Sequence, residues 1–286
     1  MSTNRAFLGL SHTPLMDLNP VAPEVRREID TLLAALRDAA QAVGDYTTPA
    51  GRLNVDAGTA IALVTHLMEA DFDVAVSRRM SVDHGFSQAL QILWGGLDTP
   101  PIVPIFMNAV AQPGIPRLRR CRALGEALGR FLDDEPRRTL VIGSGGLSHE
   151  PPVPTLAHPD AAVRERITVA REATEAERDA KTRRVMAAGM ALAAGDAAIR
   201  PLAPDWDRRW MDAIADGRLD ALTALDEAGI TRDAGLSAHE SKTWLIARAA
   251  MPDTGAALAC PVRGYRAIPE WIAGYGALFL HTGASR

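Results

Sequence analysis

The sequence predicts one α/β domain: a central mixed sheet flanked by helices, with an extra helical cluster in the C-terminal half. Three observations predict it. Short apolar runs of strand length alternate with helix-period segments through the first half. The second half is charged and alanine-rich, with amphipathic helical spacing. A chain of 286 residues with 47% hydrophobic content can bury one large core, and no repeat or low-complexity linker divides it. The domain is therefore taken as residues 1–286.

Residues 6–10 (AFLGL) form a short buried strand that ends at Ser11, His12, Thr13 and Pro14. Residues 21–43 follow as a helix, with Val25, Ile29, Leu32, Leu33 and Leu36 on one stripe. Residues 44–51 (GDYTTPAG) are a loop by composition. A helix is expected at 59–70, a strand at 73–77 and a helix at 88–94. Residues 101–107 (PIVPIFM) suit a buried strand at a margin of the sheet, where prolines are tolerated. A helix at 116–132 leads to a strand at 139–142. Helical patterns then cover 162–194, 206–225 and 237–250. The chain ends with a strand over 256–267 and a glycine-rich turn at 269–276.

Bulk composition narrows the function. Lys and Arg number 31 against 35 Asp and Glu, a net charge of -4, so nothing attracts a nucleic acid. No apolar run is long enough to span a membrane. The N-terminus lacks the pattern of a signal peptide. Two cysteines, Cys121 and Cys260, make no disulfide framework and suit a reducing cytoplasm.

Three of the seven histidines share a context. His12 follows the first strand, His84 follows the segment at 73–77, and His149 follows the strand at 139–142 through Gly143, Gly145 and Gly146. Ligands of open α/β sheets bind outside the carboxyl ends of strands. Three histidines delivered to one rim would make a site, whereas any one alone is commonly a cap or surface residue. His66 sits mid-helix, and His158 and His281 belong to loop or terminal positions. Beside His239, Glu240 is either an exposed helix residue or the carboxylate of a metal site. Two histidines and one carboxylate with open positions would suit non-haem Fe(II) and oxygen. Histidines left over could act as acid and base.

The motifs LSHTPL (10–15), VDHGFSQAL (82–90), GGLD (95–98), LGEALGRF (124–131) and GSGGLSHEPPVP (143–154) are distinctive together. So are WD (206–207), HESKTW (239–244) and IPEWIAGYG (268–276). In this order the chain resembles the class III extradiol ring-cleavage dioxygenases, nearest to the branch acting on 2,3-dihydroxyphenylpropionate. The resemblance implies an Fe(II) cofactor, a catechol substrate, O2 and a homo-oligomer. By motif, His12 and Glu240 match metal ligands, His84 the proton donor and His149 the proton acceptor. The resemblance leaves the residues that hold the substrate side chain unassigned.

One family feature is missing. The second iron-ligating histidine belongs on an apolar strand after the first long helix. Here the segment ending at Val43 runs directly into Gly44, so a strand, a histidine and a pocket loop are absent. Between His12 and His84 stands only His66, in the next helix. A second reading rests on that gap: a non-catalytic member of the fold that binds small aromatics or partner subunits. A third, a hydrolase using His149 with Ser144 or Ser148, has no nucleophile-elbow pattern.

Overall fold

In a computed structural model, residues 5–40, 52–78, 82, 84–152, 154–168, 174–252 and 258–282 are described. The sheet is built from β1 (Arg5–Leu10), β2 (Thr139–Ser144), β3 (Ala259–Ile268) and β4 (Ala273–His281). Its order is β2-β1-β4-β3. β1 and β2 run parallel, while β4 is antiparallel to both β1 and β3, so the sheet is mixed, as expected.

Alternation along the strands divides the interior in two, because successive side chains point to opposite faces. Phe7, Leu278 and Leu280 belong to one core. Leu8, Leu10, Ala277 and Phe279 belong to the other. The first core is closed by α2 (Ala57–Glu69), α4 (Leu118–Asp133), α7 (Pro204–Ala215) and α10 (Lys242–Ala249). The second is closed by α1 (Pro23–Ala40), α3 (His84–Trp94) and α6 (Glu175–Ala193). The late helical cluster is completed by α5 (Ala161–Thr168), α8 (Leu219–Thr223) and α9 (Glu227–Ala234). Local chemistry starts these helices where the composition changes. Asp56 accepts from Thr59 N at 2.9 Å to cap α2, and Thr174 and Glu177 form a reciprocal capping box on α6.

The structure corrects three expectations. Residues 73–77 and 101–107 are not strands; among the described residues, the only pairing there is an isolated parallel bridge between Val55 and Ile102. A ladder needs a neighbour, and no described strand runs beside either segment. The glycine-rich turn is shorter than its composition suggested. A one-turn 3-10 helix at Pro269–Trp271 is followed at once by β4, which carries Gly274 and Gly276 into the sheet centre. The loop at 44–51 lies outside the described residues.

Candidate active site

The strand register sets the site. Leu10 stands opposite Ser144 in the parallel β1–β2 pair, so both strands end at the same rim. His12 lies two residues beyond β1. Beyond β2 the chain passes through Gly145 and Gly146, whose φ values of 113° and 69° favour glycine. At Gly145 a Cβ would also stand 2.9 Å from Glu240 Oε2. The turn lets His149 return to the rim. α3 arrives there with its first residue, His84, and Ser144 Oγ donates to Gly85 O at 2.7 Å.

Glu240 comes from the 3-10 turn Leu236–Ser241 that precedes α10. The start of α10, which follows directly, is tied to the end of β2: Thr243 Oγ1 donates to Ser144 O and Trp244 Nε1 donates to Gly145 O, each at 2.9 Å. The carboxylate accepts from Gly146 N at 3.1 Å and faces His149 Nε2 at 3.5 Å. Burial opposes its ionisation, but the charge and hydrogen bond of His149, then Gly146 N–H and His12, hold its pKa down to about 2.

His149 Nδ1 lies 2.9 Å from Leu147 O. A carbonyl only accepts, so this nitrogen carries a proton and Nε2 is the exchangeable position. Burial pulls the His149 pKa down, yet Glu240 outweighs it and the net shift is upward. His12 moves the other way: burial first, then the charge of His84, lower its pKa to about 4. His12 is therefore neutral at pH 7, the form that ligates a metal.

The structure thus gathers His12, His149 and Glu240 at one rim, with exposed His84 close enough for its charge to be felt by His12. His239 turns inward instead, its Nε2 2.9 Å from Thr231 Oγ1. His66 bonds Ala127 O from α2. His158 and His281 lie in a turn and at the end of β4.

Several residues at the rim were not separable by motif. Gln88 and Ser144 hold the two ring nitrogens of His12 at 3.0 and 2.7 Å. Asp207 is fully buried beneath His149, accepting from Ser148 N at 2.7 Å, Ser148 Oγ at 2.6 Å and Tyr265 OH at 2.7 Å. Burial raises its pKa and these donors counter it. In the sequence, Gln88 and Asp207 signal only through membership in the quoted runs, Ser144 and Ser148 suggest nucleophiles and not these roles, and Tyr265 gives no signal.

Residues 9–276 match the family described as the catalytic LigB subunit of aromatic ring-opening dioxygenase. The chain belongs to this family. It is 59% identical to a 2,3-dihydroxyphenylpropionate/2,3-dihydroxicinnamic acid 1,2-dioxygenase of Comamonas testosteroni, over 98% of each chain. Proteins with that same name from Rhodococcus jostii and Burkholderia vietnamiensis are 47% and 42% identical. They cover 95% and 94% of this chain and 96% and 95% of their own. The Comamonas alignment runs over 314 positions against a chain of 286, so at least 28 of them have no residue here.

LigB dioxygenases depend on a metal, and the donors at the rim fit one in part. A neutral imidazole and an ionised carboxylate, His12 and Glu240, are the right chemistry. Among the described residues, no third His, Cys, Asp or Glu converges with two others to hold an ion.

Proposed function

We propose that this protein is an Fe(II) extradiol dioxygenase that opens the ring of 2,3-dihydroxyphenylpropionate or a closely related catechol with O2. The observation that carries the reading is the convergence of His12, His149 and Glu240 on one rim, with His84 beside them. His12 and Glu240 would hold the metal. Bound there, Fe(II) would bring a chelated catechol and O2 to one centre and allow electrons to pass between them.

The chain's own groups handle the protons. His149 Nε2 faces the rim and takes a phenolic proton, drawn to the nearby Glu240 charge. His84, solvent-exposed at the head of α3, would return a proton to the oxygen freed as the O–O bond breaks, and that oxygen re-enters the product when the ring opens. Both atoms of O2 end in a yellow ring-opened dienoate. The glycine loop packs tightly against the turn that carries Glu240: a Cβ at Gly146 would stand 2.7 Å from Ser241 N. We also infer a homo-oligomer and a cytoplasmic setting; Cys121 and Cys260 are both free, and no described helix is long and apolar enough to cross a membrane.

The test is an absorbance assay. Protein reconstituted anaerobically with Fe(II) and ascorbate should yellow on addition of 2,3-dihydroxyphenylpropionate and air. Glu240→Ala should lose both bound iron and colour. A folded wild type that holds iron yet forms no product contradicts the reading.

A further inference from the structure

Gln88 lies one helical turn into α3, on the side that meets the His12 loop. Its amide has a fixed orientation. Gln88 Nε2 is 3.1 Å from Thr13 O, and a carbonyl accepts but never donates. The amide nitrogen must therefore face Thr13, which turns Oε1 towards His12 Nδ1 at 3.0 Å. Oε1 is also only an acceptor.

A neutral imidazole carries one N–H, and two placements compete. With the proton on Nε2, it would be donated to Ser144 Oγ at 2.7 Å. The bare Nδ1 would then face the lone pairs of Gln88 Oε1, a repulsive contact. With the proton on Nδ1, Gln88 accepts it and Nε2 presents its lone pair outward. Ser144 Oγ then donates either to that lone pair or to Gly85 O, also 2.7 Å away. The second placement satisfies each contact, and the first does not.

We propose that Gln88 is a positioning residue for the iron site: it fixes His12 as the Nδ1–H tautomer and so makes Nε2 the metal donor. Ser144 completes the device. Because Gly85 O can take its proton, Nε2 can turn to a cation without stranding the hydroxyl. Metal-binding histidines generally need such a partner on the other nitrogen, and its loss weakens metal binding about 10- to 100-fold. The inference rests on reading His12 as a ligand, but the tautomer can be measured without any metal.

The experiment uses the full chain, labelled with 15N-histidine and stripped of metal by chelation. Long-range proton–nitrogen spectra at neutral pH report which ring nitrogen of His12 carries the proton. Nδ1–H is expected in the wild type and in Gln88→Glu, which keeps an acceptor there. Gln88→Leu should show a mixed or Nε2–H ring. Anaerobic titration with Fe(II) should then give binding about 10- to 100-fold weaker for Gln88→Leu than for wild type, with Gln88→Glu close to wild type. An Nε2–H ring in the wild type, or wild-type tautomer and affinity in a folded Gln88→Leu, overturns the assignment. An Nδ1–H ring in a protein that binds no Fe(II) supports the role of Gln88 and overturns the dioxygenase reading instead.

Discussion

His149 donates its Nδ1–H to Leu147 O, so only Nε2 can receive a proton from a substrate. General-base contributions are typically about 100- to 10,000-fold. His149→Ala should therefore lower kcat by that order while its thermal midpoint stays near wild type. Rates within a few-fold of wild type would move the base elsewhere. His239 makes a different prediction. It is 2% exposed, and burial, then Lys242, lower its pKa to about 4, against a smaller opposing effect of Glu227. The unfolded chain takes up this proton first, near 6.5. The stability of neutral His239 is thus full above that pH and is lost as pH falls through about 4. The loss is roughly 3 kcal/mol. His239→Gln should flatten the fall in urea midpoint between those values, and an unchanged slope would contradict the assignment. The approach of His12, His149 and Glu240 to one another was legible from motif order and the ends of β1 and β2, whereas the strand expected before His84 does not form and that residue instead opens α3. The partners of His12 were not, since an amide or hydroxyl gains its role only from what the fold puts beside it.

β4 shows why an element can be misread. Gly274 and Gly276 suggest a turn, yet they stand in the middle of the sheet because neighbours leave no room for a side chain. A Cβ at Gly274 would strike Asp207 Oδ2, and one at Gly276 would stand 2.9 Å from Leu147 Cδ1. The buried carboxylate joins α7, β3 and the loop that carries His149. Asp207→Ala would leave Ser148 N–H and the Tyr265 hydroxyl without their acceptor. The expected cost is on the order of 3 kcal/mol, with a loosened His149 loop. Chemical denaturation of Asp207→Ala beside Tyr265→Phe checks this: the first should be far more damaging, and equal midpoints would dissolve the network. Residues 73–77 and 101–107 failed in the opposite direction. Their composition suits strands, but composition does not supply a ladder partner.

At the scale of the whole molecule, a four-stranded mixed sheet brings four motif residues to one rim without a third metal donor among the described residues. One parallel register brings β1 and β2 out together, and the loops beyond them, with α3 and the turn before α10, supply His12, His149, His84 and Glu240. At least 28 positions of the Comamonas relative have no counterpart, and the described residues offer no third metal donor. The central claim is that the groups retained still support iron-dependent ring opening. The most direct measurement is oxygen uptake by the Fe(II)-reconstituted protein with 2,3-dihydroxyphenylpropionate, recorded together with product absorbance. The account predicts one O2 consumed for each yellow dienoate formed, with none of either before iron is added. Uptake without product, or no uptake by folded, iron-loaded protein, would contradict it.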